Sequence, residues 1–221
     1  MKNYKAIIFD LGNVVFHCSF EPTFNYWSDI SSQDKEVLKR KFDVSEFHER
    51  FEKSLISPFQ FRKNISQLLN YNLTVGEFEH GWNAIYGDII DGLDNLLIGL
   101  KKQYRIIALT NTNETHSKFW KVKYKSTLAL FEKVFSSHEM KFRKPEFGAY
   151  YICLDYLALT PNKVLFLDDK AENIEGARRV GIDSVLITSF NQMVNDLTKK
   201  GINITDNKHY KSKSDICQQD Q

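Results

Sequence analysis

The sequence predicts an α/β protein in which helices wrap a parallel sheet and a further bundle of helices is inserted after the first strand. Short apolar runs recur along the chain, and most are separated by segments whose apolar residues repeat at helical spacing. Such alternation is typical of parallel sheets. One long stretch breaks it, because it holds several helix starts and no strand-like run. We therefore expect a Rossmann-like core with a helical-bundle cap.

Five apolar runs are the candidate strands of this core. They occupy residues 6–9, 105–109, 134–135, 164–167 and 184–187. Between them, two segments have apolar residues at i, i+3, i+4 and i+7, which predicts one buried face on each helix. The residues of these two faces are Leu93, Leu96, Leu97 and Leu100 in the first, and Phe147, Tyr150, Tyr151 and Leu154 in the second.

The helical insert is predicted to span residues 20–88. Ser57 before Pro58 has the residue types of an N-cap and a first helical position, and Thr74 with Glu77 forms a possible capping box. An insert this long is expected to pack as its own bundle over the carboxyl ends of the strands, where open parallel sheets bind ligands. The core then comprises residues 1–19 and 89–205, and residues 206–221 read as a frayed tail.

Composition excludes several classes of protein. The chain has 221 residues, 42% of them hydrophobic, which suffices for a sizeable core. Its 30 basic and 28 acidic residues leave no surplus of positive charge, so we expect no nucleic-acid partner. No apolar run approaches the roughly 18 residues of a membrane span, so we expect no membrane partner. Three cysteines without a CxxC pair (Cys18, Cys153 and Cys217) favour a reducing cytoplasm.

Acids follow two of the predicted strands. Asp10 comes directly after the first strand, and Asp168 with Asp169 ends the fourth. A carboxylate in this position can be a nucleophile or a metal ligand, but it can also cap a turn or complement a helix dipole. Two adjacent acids repel each other unless a cation joins them, and Mg²⁺ is the cation that best fits such oxygen ligands.

Hydrogen-bond donors and a lysine are expected at the same edge of the sheet. Thr110 and Asn111 follow the second strand and can donate to an oxyanion, although such residues also cap helices. Lys144 precedes Pro145, which predicts an extended lysine at the start of the next helix, within reach of a phosphate. With Asp10, these groups supply a nucleophile, oxyanion donors and a cation, a set suited to phosphoryl transfer.

Taken together and in this order, these residues resemble the four motifs of the haloacid dehalogenase (HAD) superfamily. The matching residues are Asp10 in the first motif, Thr110 with Asn111 in the second, Lys144 in its Lys-Pro-Glu setting in the third, and Asp168 with Asp169 in the fourth. Residues 10–14, 110–113 and 168–177, with the triplet His80, Gly81 and Trp82, further resemble the bacterial α-D-glucose-1-phosphate phosphatases.

The resemblance implies a cytoplasmic, Mg²⁺-dependent phosphatase acting on a small phosphorylated metabolite, most specifically a sugar phosphate such as glucose 1-phosphate. Asp10 would attack phosphorus and form an aspartyl-phosphate that water hydrolyses. Mg²⁺ would lie between Asp10 and Asp169, with Asp168 as a supporting acid. Lys144 would neutralise the phosphoryl oxygens, and Thr110 with Asn111 would hydrogen-bond to them.

Gly12 departs from the family pattern. Phosphatases of the superfamily usually have a second aspartate two residues after the nucleophile as general acid and base. The backbone carbonyl of Gly12 keeps the metal contact that the resemblance implies, but glycine cannot transfer a proton. A positioned acid contributes on the order of 10²- to 10⁴-fold. Since an anomeric hydroxyl leaves with less protonation than an ordinary alcohol, we expect a preference for sugar 1-phosphates.

Two other functions fit part of the pattern. A 2-haloacid dehalogenase shares the nucleophile and lacks the second aspartate, but it needs no metal and leaves the adjacent acids unexplained. A non-catalytic protein that binds a phosphorylated metabolite through Lys144 and Thr110 is the other alternative. His80 and His116 are expected in surface or packing roles. Three aromatic residues of the insert (Trp27, Trp82 and Tyr86) are expected in the core of the bundle.

Overall fold

The computed structural model describes residues 3–42 and 46–204, so the predicted tail at 206–221 and Cys217 lie outside the described residues. Its helices and strands are, in chain order, β1 (Ala6–Phe9), β2 (Phe16–Cys18), α1 (Glu21–Ser31), α2 (Lys35–Lys41), α3 (Glu46–Glu52), α4 (Pro58–Leu69), α5 (Val75–Asn83), β3 (Tyr86–Ile89), α6 (Leu93–Lys101), β4 (Arg105–Thr110), α7 (Glu114–Lys123), α8 (Lys125–Leu128), β5 (Lys133–Ser136), α9 (Ser137–Met140), α10 (Phe147–Leu157), β6 (Val164–Asp168), α11 (Ala171–Arg179), β7 (Asp183–Leu186) and α12 (Phe190–Lys199).

The central sheet has five parallel strands in the order β5-β4-β1-β6-β7. Each of the five apolar runs becomes one of these strands, with bounds that move by one residue at most ends, so the predicted α/β class is confirmed. Phe9, the last residue of β1, is in register with Ala108 of β4 and Leu167 of β6. The residues that follow β1, β4 and β6 therefore meet at one edge.

The two faces of the sheet are covered by different helices. Ile7 and Phe9 point to a cluster shared with α6, α7 and α12, while Ala6 and Ile8 point to one shared with α10 and α11. Alternation along β1 follows from the pleat, which directs successive side chains to opposite faces. The central strand is thus buried on both sides, as its uninterrupted apolar sequence predicts.

Helix α10 corrects two details of the sequence-based prediction. It begins at Phe147 with Glu146 as N-cap, so Pro145 lies before the helix and not at its first position. Pro145 lies inside a turn that precedes the helix, and this turn is closed by the hydrogen bond from Glu146 N to Arg143 O. Phe147 and Tyr151 of the expected face are 47% and 50% exposed. Nearly the whole helix is apolar, so spacing alone could not select the face, which consists of Ala149, Tyr150, Cys153, Leu154 and Leu157.

Helices α1–α5, which we call the cap, share a hydrophobic cluster of their own. Trp27 and Trp82 lie inside it with their rings stacked at 6.1 Å, as expected for bundle-core residues. Both predicted helix starts are confirmed. The side chains of Ser57 and Thr74 each accept a hydrogen bond from the backbone N–H of residue N3, and the side chain of residue N3 accepts one from the backbone N–H of the N-cap. A separate core and two capping boxes explain why these helices form a layer apart from the sheet.

A two-stranded antiparallel sheet, β2 with β3, joins the cap to the core. Cys18 pairs with Tyr86, and Phe16 with Ile89. The expectation that residues 20–88 contain no strand is therefore wrong at its end, because Gly87 and Asp88 leave β3 without an apolar run. Tyr86 packs against the core cluster and not within the bundle. Across the described part of the chain, no helix combines the length and apolar character needed to cross a membrane.

Candidate active site

The carboxyl ends of β1, β4 and β6 surround a cavity of about 830 Å³. The structure places Asp10, Thr110 and Asp168 at the ends of these three neighbouring strands, as expected. Asp168 is fully buried beneath the cavity, and the lining includes the remaining predicted site residues Asp10, Gly12, Thr110, Asn111, Lys144 and Asp169. The cap forms the opposite wall.

Lys144 is the central cation of the site. Its Nζ lies 2.7 Å from Asp10 Oδ1 and 2.7 Å from Asp168 Oδ2, and the residue is only 1% exposed. Burial by itself would lower the pKa of Lys144, but the carboxylates of Asp10 and Asp168 outweigh it and raise the pKa above its ordinary value. The ammonium group therefore stays charged and links two strand ends.

Asn111 holds the backbone of Lys144. Lys144 N donates to Asn111 Oδ1 at 2.8 Å, and Asn111 Nδ2 donates to Lys144 O at 2.9 Å. The sequence predicted that this amide binds a phosphoryl oxygen. In the structure its Oδ1 and one hydrogen of its Nδ2 are already engaged, so it positions Lys144 and has one remaining Nδ2 hydrogen for another acceptor.

Asp168 is surrounded by donors. Beyond Lys144, Oδ1 accepts from Lys170 N at 2.8 Å, and Asn173 Nδ2 lies 3.0 Å from both carboxylate oxygens. Each oxygen thus has at least two donor contacts, which hold the carboxylate in one orientation. The site set predicted from the sequence did not include Asn173, although its position five residues after Asp168, on the first turn of α11, is the signal that could have identified it.

Asn13 is a second residue that the sequence did not single out. Its Nδ2 donates to Asp169 Oδ2 at 3.3 Å, and its Oδ1 accepts from Cys18 N at 2.9 Å. The residue has φ of 56°, a left-handed conformation that asparagine tolerates better than most residues. This turn brings the amide toward Asp169 and holds the end of β2.

The acids at the rim are hard to ionise together. Burial raises the pKa of Asp10 to about 7 against the opposing effect of Lys144, and the negative charges of Asp168 and Asp169 contribute to the increase. Burial and Asp168 likewise raise the pKa of Asp169. A group of carboxylates with raised pKa values gains stability when a further cation joins it.

The residues present fit a divalent cation. Asp10, Asp168 and Asp169 each offer an oxygen within 4.8 Å of the others, and Lys144 is the buried cation beside them, while the exposed Lys170 lies 3.8 Å from Asp169. The buried Oδ1 of Asn173 has no hydrogen-bond partner among the described residues, so an acceptor beside the cluster remains for a hydrated ion. Hard oxygen donors of this kind suit Mg²⁺.

The backbone conformation at position 12 does not require a glycine. Its φ lies outside the left-handed region, and a Cβ added there would meet Cys18 Sγ at 3.5 Å, an ordinary van der Waals contact. The thiol itself is unreactive, because burial raises the pKa of Cys18 to about 12. The site therefore has room for a side chain at position 12 but contains none.

His116 connects the core to the cap. Its Nε2 lies 2.9 Å from Trp82 O and its Nδ1 lies 3.1 Å from Asn113 Nδ2, so Nε2 donates and Nδ1 accepts. The imidazole also stacks on the Trp82 ring at 4.6 Å. Burial lowers the pKa of His116 to about 3, which keeps the ring neutral. The predicted packing role of His116 is confirmed, and Asn113 is the N-cap of α7.

The cap contributes a charged wall that the sequence did not reveal. Arg143, directly before Lys144, pairs with two acids of α3: Nη1 lies 2.8 Å from Glu49 Oε1, and Nε lies 2.9 Å from Glu52 Oε2. All three side chains line the cavity. More than 90 residues separate Arg143 from its partners in the sequence, and no local pattern predicts such a pairing.

A strand-end carboxylate cluster with a shared lysine, on a parallel sheet with a cap inserted after the first strand, matches what the sequence resemblance led us to expect. The family model of haloacid dehalogenase-like hydrolases matches residues 4–181 of the chain. The chain therefore belongs to the haloacid dehalogenase-like hydrolases.

Relatives and solved structures agree with this assignment. The D-ribitol-5-phosphate phosphatase of Bacteroides thetaiotaomicron is 22% identical over 185 residues, which cover 81% of this chain and 90% of the relative. A HAD family enzyme of the same organism, solved in complex with magnesium and inorganic phosphate, is 26% identical with a TM-score of 0.75 and covers 85% of this chain and 96% of its own. The structure of a predicted HAD-like hydrolase of Porphyromonas gingivalis is 21% identical and has a TM-score of 0.78. The match covers 90% of this chain and 98% of the other, so the two proteins share the fold.

Proposed function

We propose that the protein is a Mg²⁺-dependent phosphatase that hydrolyses small phosphate monoesters, most specifically phosphates of sugars or polyols, through an aspartyl-phosphate at Asp10. The observation that supports this most is the sharing of Lys144 between Asp10 and Asp168 next to Asp169. The three carboxylates share one buried cation, Lys144, and the second nearby cation, Lys170, is exposed and 3.8 Å from Asp169. The magnesium and phosphate in the related HAD structure support the same chemistry.

Asp10 is the proposed nucleophile. Its carboxylate attacks phosphorus in line with the leaving oxygen, the P–O bond to the alcohol breaks, and water then hydrolyses the aspartyl-phosphate. Lys144 keeps Asp10 oriented through Oδ1 and offsets the charge of the phosphoryl oxygens. Thr110 donates to one of those oxygens from the end of β4. These groups are fixed before substrate arrives, which is the main source of rate in such transfers.

Asp10, Asp169 and the carbonyl of Gly12 are the proposed holders of Mg²⁺. When bound, the ion withdraws charge from the phosphoryl oxygens and lowers the barrier to attack. Asp168 fits a supporting role, because its oxygens already accept from Lys144, Lys170 and Asn173. Asn13 orients Asp169.

The identity of the ester follows from two considerations. The lack of an acid at Gly12 favours leaving groups that depart without a proton, as in sugar 1-phosphates such as glucose 1-phosphate. The relative named for D-ribitol 5-phosphate suggests instead a phosphorylated open-chain polyol. Both are small hydroxylated phosphate monoesters, which is the class we propose.

A phosphate-release assay over a panel of such esters tests the proposal. We expect release that requires Mg²⁺ and that falls by at least about a thousandfold in Asp10→Asn, since the amide is not a nucleophile. Asp155→Asn, on the exposed side of α10, is the matched control and should keep wild-type activity.

The same assay separates the two alternatives. A 2-haloacid dehalogenase would release halide from 2-haloacids without metal and no phosphate from the esters. A non-catalytic binder would bind an ester by calorimetry without releasing phosphate. Either result would overturn the proposed phosphatase.

A further inference from the structure

The cap wall of the cavity carries a charge arrangement that the phosphatase chemistry does not use. Arg143 is held between Glu49 and Glu52, and its side chain is 14% exposed. The Glu52 side chain is 11% exposed, and Glu49, at 47%, closes the outer side of the group. We call Glu49, Glu52 and Arg143 the cap triad. With two carboxylates and one guanidinium, the triad has a net charge of −1.

Every lysine and arginine among the described lining residues has a carboxylate within 4 Å. Besides Arg143, these are Lys144, which contacts Asp10, and Lys170, whose Nζ lies 3.8 Å from Asp169. Burial lowers the pKa of the two histidines of the lining, which therefore add no positive charge at neutral pH. Lys144 and Lys170 thus lie with the strand-end acids, where the phosphoryl group is proposed to bind, and the only cation of the lining that contacts the cap acids is Arg143, which they already neutralise.

We propose that the cap triad acts as a charge filter, so that the enzyme accepts phosphate esters with an uncharged, hydroxylated skeleton and rejects those with a second phosphate or a carboxylate. A second anion near the cap would meet a guanidinium that is already neutralised and a carboxylate in excess. Hydroxyl groups meet no such penalty, because they donate hydrogen bonds to the oxygens of Glu49 and Glu52. This inference rests on the proposed phosphatase function and specifies its substrate class.

The test compares substrates that share a skeleton and differ by one anion. We would measure kcat/KM for glucose 1-phosphate against glucose 1,6-bisphosphate, and for glucitol 6-phosphate against 6-phosphogluconate, all with saturating Mg²⁺. For the wild type we expect the member of each pair with a single anionic group to be preferred by at least about tenfold, the effect of an added charge at short range in a partly buried site.

The double variant Glu49→Gln/Glu52→Gln changes the triad from −1 to +1 while keeping side chains of similar size. We expect the bisphosphate and the carboxylated ester to gain at least about tenfold in kcat/KM relative to their partners. Adding Arg143→Met to this background should cancel the gain, since the released guanidinium is what binds the second anion. If the double variant does not fold, the single variant Glu49→Gln at the exposed position should show a smaller change in the same direction.

Lys53→Met is the matched control. Lys53 Nζ forms another ion pair between cap and core, 2.8 Å from Glu146 Oε1, but neither residue lines the cavity. This variant weakens the contact between cap and core without changing the charge that the substrate meets, so its preference ratios should equal those of the wild type. Equal ratios in wild type and double variant, or the same change in Lys53→Met, would overturn the filter.

Failure of the filter and failure of the phosphatase proposal give different results. If the wild type releases no phosphate with Mg²⁺ from these four esters or from any ester of the wider panel, both the proposed function and the filter that rests on it are wrong. If it hydrolyses both members of each pair at similar kcat/KM, the proposed function stands and only the charge filter is wrong.

Discussion

Replacing His116 with glutamine tests whether the contact between cap and core depends on a neutral imidazole. Protonation would place a hydrogen on Nδ1, which now accepts from Asn113 Nδ2, and would charge a ring that is 4% exposed. Glutamine retains an amide that can donate to Trp82 O but does not titrate. The substitution therefore removes the response to pH while keeping part of the hydrogen bonding.

The expected magnitude follows from the pKa of His116, which burial lowers from 6.5 in the unfolded chain to about 3. Between these values the unfolded state binds a proton that the folded state does not, so the free energy of unfolding is fully retained above pH 6.5 and falls as the pH decreases toward 3. At pH 5 the loss from this one residue is about 2 kcal/mol, since each pH unit below 6.5 contributes about 1.4 kcal/mol.

Urea denaturation at pH 7 and pH 5, in EDTA, measures this loss. The lowered pKa values of His48 and His138 add to the loss, whereas the raised pKa values of Asp10 and Asp169 oppose it, so the difference between wild type and variant is the quantity to compare. We expect His116→Gln to lose about 2 kcal/mol less than the wild type between the two pH values. His17→Gln, at an exposed position, is the control. Equal losses in His116→Gln and wild type would refute a buried neutral imidazole.

Three further substitutions have distinct expected outcomes. Lys144→Met leaves the strand-end acids without their ammonium group and should lower the free energy of unfolding by about 3 to 5 kcal/mol, with partial recovery on adding Mg²⁺. Thermal melts with and without Mg²⁺ measure this change. A variant that does not recover would contradict the proposed metal site. Gly81→Ala would place a Cβ 2.4 Å from Trp27 Nε1, so we expect the cap to lose about 1 to 3 kcal/mol, visible as faster amide exchange in α1 and α5 than in the sheet; uniform loss across the chain would count against an independent cap cluster. Gly12→Asp fills the space beside Cys18 with an acid and should raise turnover of alkyl phosphates relative to sugar 1-phosphates by at least about tenfold; an unchanged ratio would show that the missing acid does not set the preference.

The core and its rim could be predicted from the sequence because parallel topology makes strand ends meet. Once residues 6–9 and 164–167 are strands of one parallel sheet, Asp10 and Asp168 must lie at the same edge, whatever the helices do. Their positions therefore follow from local apolar runs. The same reasoning brought Thr110 to that edge, and the lysine before a proline supplied the fourth group.

The cap could be predicted as helices but not as a packed body. Ser57 and Thr74 mark helix starts through contacts within four residues, which a sequence displays directly. The pairing of Arg143 with Glu49 depends instead on how α3 is placed over the cavity, which is determined by the aromatic cluster of the whole bundle. Strand β3 was missed for a related reason, because its stability comes from pairing with β2 and not from its own composition.

The pairing of Cys18 with Tyr86 means that the polypeptide leaves the catalytic scaffold and returns to it through neighbouring positions. Because the two ends of this long excursion from the core are adjacent, its size does not change the distance between the core residues that it connects. Lineages can therefore exchange or reshape such an excursion while the acids and the lysine of the transfer chemistry keep their places. Substitutions in the excursion can then change the wall that faces the substrate without moving the strand ends.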